Sequence, residues 1–176
     1  MALSGKLPKD PDPSYTKAKN AALRLLTYRS RSEKEIERRL QGRFTEDVIQ
    51  RTLESLKNQG LVDDMAFAQQ WREQRERFRL RGPALIRQEL RKLGVDREII
   101  QDALLDFDSA AGAYKAGSKY AAKLSVEDGT AFRRKLGGFL QRRGFGGEVL
   151  GQTVERIWLE LLDPLHSGVD GESQYD

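Results

Sequence analysis

Three stretches of the chain repeat one another. "SEKEIERRLQGRFTEDVIQRTLESL" (Ser32–Leu56), "GPALIRQELRKLGVDREIIQDALLDF" (Gly82–Phe107) and "AFRRKLGGFLQRRGFGGEVLGQTVERI" (Ala131–Ile157) recur at a spacing of 50 to 51 residues. Each carries an apolar pair four residues apart, Ile36/Leu40, Ile86/Leu90 and Leu136/Leu140, the spacing that places two side chains on one helical face. A short glycine-containing break follows and ends on an apolar anchor: Phe44, Val95 or Phe145. A second amphipathic stretch comes next, anchored by Val48, Ile49 and Leu53, then Ile99, Ile100 and Leu104, then Val149, Leu150 and Val154. A short helix with one apolar face cannot bury that face alone, so such a chain folds by packing units of one kind together.

Another helical stretch precedes each copy: Ser14–Tyr28, Asp64–Leu80 and about Ser109–Leu124. Three helices in each of three copies predict an all-α fold of about nine helices. Ser32 with Glu35 forms a capping box, Asp96 precedes "REIIQDAL", and Pro83 sits where a first helical turn tolerates it. Only five prolines, abundant Leu, Arg, Glu and Ala, and no long alternation of β-branched residues support the same reading. The expected units are residues 14–60, 61–108 and 109–162, between a proline-rich, disordered tail at 1–13 and an acidic tail at 163–176.

The residue inventory excludes several chemistries. There is no cysteine and a single histidine, His166, so disulfides, thiolate nucleophiles and most metal or triad arrangements are out of reach. No GxxxxGK[ST], HExxH or GxSxG pattern occurs, and neither enzyme activity nor a cofactor is expected. With 38% apolar against 33% charged residues, and no secretory apolar run, no membrane span is expected and the cytoplasm is the default compartment. The adjacent carboxylates of "GLVDDMAFAQQW", Asp63 and Asp64, read as helix capping, with Val62 stapling onto Phe67, because neighbouring side chains diverge once a helix begins. Phe67, Trp71 and Phe78 share one helical face and are expected in the core. The glycines of "GGFLQRRGFGG" fall at a helix break and read as a turn.

"ALRLLTYRSRSEKEIERRL", "GLVDDMAFAQQW" and "RGPALIRQELRKLGVDREIIQDAL" resemble the RecX proteins, bacterial regulators of the RecA recombinase, and stand in that family's order. The resemblance is strong over Ala21–Leu105 and holds in pattern only through the alanine- and glycine-rich third repeat. It implies tandem three-helix units in an elongated, curved body. It also implies a non-enzymatic role: binding RecA, chiefly as its filament on DNA, and suppressing its ATPase, coprotease and strand-exchange activities.

The charge is unevenly placed. The net +4 conceals four acidic and no basic residues from Asp163 onward, leaving a basic body that suits an acidic partner. Basic residues cluster as Arg29, Arg31, Arg38 and Arg39, then as Arg72, Arg75, Arg79, Arg81, Arg87, Arg91 and Lys92, then as Arg134, Arg142 and Arg143. Stacked repeats would align them as a stripe facing the RecA filament, with nonspecific DNA contact as a second use. Pairing with carboxylates such as Glu33, Glu37 and Glu89 accounts for about half of them. Arg75, Arg79 and Arg91 are the leading contacts; they and Arg72 and Arg87 are all expected to point outward, and the protein is expected as a monomer. A DNA-binding or transcriptional module is the alternative. Glu46 and Asp47 would then lead the third helix of the first repeat toward phosphate, which argues against base readout.

Overall fold

A computed structural model describes residues 12–163, which form nine α-helices and one π-helical turn, with no strand among the described residues. The helices are α1 (Pro13–Tyr28), α2 (Glu33–Leu40), α3 (Glu46–Asn58), α4 (Asp64–Gln74), α5 (Pro83–Leu93), α6 (Arg97–Ala103), α7 (Ser109–Ala121), α8 (Gly129–Arg142) and α9 (Gly147–Leu162). The π-helical turn, Arg75–Arg79, continues α4. Pro13, read from sequence as tail, is instead the first residue of α1, capped by Asp12. Apart from Asp12, Pro13 and Asp163, the expected tails lie outside the described residues, as does His166.

The repeating apolar pairs are buried as expected: Ile36, Leu40, Ile86, Leu90, Leu136 and Leu140 are all at most 1% exposed. Residues group into two compact units that cut across the middle repeat. One unit runs through Ala68 and takes in Arg91–Ile100; the other holds Gln69–Leu90 and the chain from Gln101 onward.

In the first unit, Ala22, Ile36, Leu40, Ile49, Leu53, Leu56 and Val62 form a core from α1, α2, α3 and the approach to α4. The start of α2 is densely bonded. Ser32 Oγ accepts from the Glu35 amide, and Glu35 reaches back to the Ser32 amide, completing the capping box. The same hydroxyl donates to the Leu93 carbonyl at the end of α5, 2.6 Å away. Asp63 is the N-cap of α4, accepting from Ala66 N at 2.9 Å, while Asp64 accepts from Glu33 N at 2.8 Å and so caps α2. Val62 and Phe67, the expected staple pair, are both buried.

The second unit repeats part of this arrangement. Gly82 N donates to the Arg143 carbonyl at 2.7 Å, and Ala84 N to that of Gly144, so the start of α5 meets the end of α8. Gly82 and Arg143 stand 50 residues beyond Ser32 and Leu93, so the two joints are the same joint. Each is closed by a glycine with positive φ, Gly94 (86°) and Gly144 (89°). A Cβ on Gly94 would lie 2.5 Å from Lys34 Cβ, and one on Gly144 would lie 2.6 Å from the Leu85 backbone. The second core comprises Ala113, Ala116, Ala121, Phe132, Leu136, Leu140, Phe145, Val154, Ile157 and Trp158. Small residues on α7 serve close approach: a Cβ on Gly117 would stand 2.7 Å from Ile157 Cδ1.

The expected Phe67/Trp71/Phe78 core stripe fails at its far end. Phe67 is buried and Trp71 half-buried, but Phe78 is 72% exposed. The π-helical turn widens the helix after Gln74 and rotates later residues off the α-helical register on which Phe78 would follow Trp71. The turn stops at Leu80, a non-glycine residue with φ 47°, whose amide donates to the Arg75 carbonyl.

Candidate partner-binding surface

The structure sorts the arginines by whether the fold already uses them. In the first unit, Arg29 and Arg31 share Glu35, and Arg31 also donates to the Leu25 carbonyl at 3.3 Å. Burial, then the neighbouring Arg29 charge, holds the Arg31 pKa below its ordinary value against the opposing pull of Glu35; Arg39 adds a further lowering. Arg38 donates to the Lys92 carbonyl at 3.2 Å and thereby braces the α2–α5 joint.

In the second unit Glu89 is a hub. Its carboxylate accepts from Trp71 Nε1 at 2.8 Å and Arg75 Nε at 2.7 Å, and it pairs with Arg81. The Arg75 guanidinium also lies 3.9 Å from the Trp71 ring centroid, a cation–π contact. Arg143 donates to the Arg79 carbonyl. Arg81 is held below its ordinary pKa by burial first, and then by Arg75, Arg79 and Arg143. Arg72 donates to the carbonyls of Ala103 and Asp106 beyond α6, at 2.9 and 3.0 Å.

These facts correct the outward expectation for Arg72, whose side chain is 21% exposed and bonded to those two carbonyls, and for Arg75. Its side chain is 19% exposed and its pKa is lowered by burial, so it faces Glu89 and Trp71 rather than solvent. Arg75 stands four residues after Trp71 and shares its helical face. Of the fourteen predicted cations, seven are held by protein groups: Arg29, Arg31, Arg38, Arg72, Arg75, Arg81 and Arg143. The other seven, Arg39, Arg79, Arg87, Arg91, Lys92, Arg134 and Arg142, have side chains without a hydrogen-bond or ion-pair partner among the described residues, and all but the half-buried Arg87 are exposed. Lys17, Arg24 and Arg43, absent from the expected clusters, are likewise exposed and without a carboxylate partner. Their signal in the sequence was the Lys17/Arg24 interval of two helical turns on α1.

Tandem three-helix units whose surface carries arginines without side-chain partners among the described residues define the class: an all-α repeat protein with exposed cations. Models of the first, second and third three-helix domains of RecX match residues 18–56, 63–104 and 108–152, in that order. The regulatory protein RecX of Mycolicibacterium smegmatis is 41% identical over 149 residues, covering 80% of this chain and 79% of that one. That of Chlorobium phaeobacteroides is 37% identical over 148 residues, covering 84% and 97%. The crystal structure of RecX from Lactobacillus salivarius superposes with a TM-score of 0.77 at 25% identity, covering 83% of this chain and 97% of that one. The chain belongs to the RecX family, a family of regulatory proteins rather than enzymes.

Proposed function

We propose that this chain binds the RecA recombinase, chiefly as its filament on DNA, and suppresses ATPase, coprotease and strand-exchange activities, thereby modulating recombination, repair and the SOS response. It does so as a monomer in the cytoplasm, with the repeats at 14–60, 61–108 and 109–162 as its working units. The observation that carries this reading is the match of all three RecX domains, in order, across residues 18–152. Cations with no side-chain partner among the described residues support it, since a surface that meets an acidic assembly keeps its charges available. No described helix is long and apolar enough to cross a membrane. Sequence-specific DNA reading is disfavoured, because α3 would enter a groove behind Glu46 and Asp47 in its first turn.

The test is DNA-stimulated ATP hydrolysis by the recombinase of the same organism, measured with and without this protein. Inhibition is expected, together with no ATP turnover by the protein alone. It is also expected to co-purify with the recombinase more strongly when single-stranded DNA is present. Unchanged hydrolysis at stoichiometric protein would sink the proposal.

A further inference from the structure

The first unit carries an open groove of about 810 Å³ between α1, α2 and the turn after α2. Lys17 and Arg24 stand on its α1 wall, Arg39 and Arg43 on the opposite wall, and no carboxylate lines it. None of the four cations has a hydrogen-bond or ion-pair partner among the described residues; Arg43 only overlies the Phe44 ring, 5.7 Å from its centroid. Leu25 and Leu40 form an apolar floor. At one end stands Tyr28, the last residue of α1, 79% exposed and without a ring or hydroxyl contact among the described residues.

Some other cations of the first unit are neutralised within the fold: Lys34 pairs with Glu37, Lys57 with Glu33, and Arg29 and Arg31 with Glu35. Four unneutralised cations facing one concavity repel one another, and a polyanion running between the walls relieves that more fully than solvent and dissolved ions do. From Lys17 to Tyr28 the α1 wall is about 16 Å long at about 1.5 Å per residue. That length matches on the order of five phosphates at about 3.4 Å per strand, and fewer in an extended strand. A row of phosphates flanked by an idle aromatic ring is the requirement of single-stranded nucleic acid, whose bases stack on aromatic side chains whatever their identity. An acidic peptide would use the cations but would leave Tyr28 without a task.

We infer that this groove binds single-stranded nucleic acid without sequence preference, with Lys17, Arg24, Arg39 and Arg43 contacting phosphates and Tyr28 stacking on a base. This goes beyond the regulatory reading, because the site needs no recombinase. It is tested on the full chain alone, by fluorescence anisotropy with labelled oligothymidylate of about 16 nucleotides at about 50 mM salt. Arg24→Glu with Arg43→Glu is expected to weaken binding at least tenfold and to reduce the log–log salt slope by about 1.4, two phosphate contacts at about 0.7 each. Tyr28→Ala is expected to weaken it at least about fivefold, the low end of a stacked base. Melting temperatures should hold, since none of these side chains is tied into the fold. Lys115→Glu with Lys119→Glu, exposed cations of the other unit outside the expected clusters, should leave binding within about twofold, since neither contributes a phosphate contact here. No binding by the parent, parent-like binding by the groove variants, or equal loss in the control pair would each overturn the inference. So would displacement of the oligonucleotide by polyglutamate as readily as by unlabelled oligothymidylate, with Tyr28→Ala silent, which would assign the groove to an acidic peptide.

Discussion

Asp63 and Asp64 are neighbours with separate tasks, because the first residue of a helix points away from its N-cap. Asp63 accepts an amide of its own helix, and Asp64 an amide of α2, 31 residues earlier. Asp63→Ala should cost about 0.5–2 kcal/mol, the usual loss for a missing N-cap, measured by chemical denaturation. Asp64 behaves differently with pH. Burial, and then the nearby Glu33 and Asp96 carboxylates, raise its pKa above the ordinary carboxylate value, outweighing the Glu33 amide that favours the anion. A raised carboxylate pKa means that ionisation costs stability, so its contribution is fullest at acid pH and is lost as pH rises through the raised value. Asp64→Asn keeps an acceptor without the charge. Its stability advantage over the parent should therefore be largest near neutral pH and shrink on acidification, as followed by melting temperature. A gap independent of pH would mean that Asp64 is not the strained carboxylate. Arg75 is the other residue whose role hung on distant partners. Arg75→Glu would set a carboxylate against Glu89 and should lose at least about 1.5 kcal/mol, the scale of a charged hydrogen bond, whereas Arg79→Glu should melt with the parent. The Asp63 cap was legible in the sequence because it is local. The Asp64 acceptor and the Arg75–Glu89 pair were not, because their partners are set by packing.

At the scale of elements, the repeat was legible and the joint between repeats was not. The spacing of apolar residues gave nine helices because a buried face imposes its period on the sequence wherever it occurs. Ser32 and Gly82 occupy one position in the repeat, yet Ser32 meets Leu93 through its hydroxyl and Gly82 meets Arg143 through its amide. One joint made by two chemistries leaves no common letter to read. Its glycine does recur, as Gly94 and Gly144, with both positive φ and no room for a side chain. Gly60 supplies a control, with φ 66° and nothing within 4 Å of a Cβ. Gly60→Ala should cost about 1 kcal/mol for backbone conformation alone. Gly94→Ala and Gly144→Ala should each cost clearly more, since Lys34 Cβ or the Leu85 backbone must move as well. Equal losses at the three sites, by urea denaturation, would mean that the joints yield freely. The π-helical turn had no signature at all: "RERFR" carries ordinary helix formers, and the widening shows only in where Phe78 and Leu80 finally sit.

For the whole molecule, the two compact units divide the middle repeat between them, and helices α4, α5 and α6 each supply residues to both. The sequence sets its punctuation between repeats because helix caps and glycines stand there; the packing sets its divisions where the joints draw one end of α5 to each neighbour's helix. The surface was half legible for a related reason. Composition reveals how many cations a chain has, but only the fold reveals which are already used. Arg79 and Arg91 remain exposed and without side-chain partners among the described residues, one in each unit. If recombinase inhibition draws on these free charges, Arg79→Glu with Arg91→Glu should abolish inhibition of DNA-stimulated ATP hydrolysis while helicity and melting stay near those of the parent, because exposed unpaired charges contribute little to stability. Residual inhibition by the parent should also weaken as salt rises, whereas packing-driven contact would not. Glu46→Lys with Glu54→Lys, on the exposed side of α3, should leave both inhibition and melting unchanged. Full inhibition by the arginine pair would place the recombinase contact away from these charges and leave them as solvation.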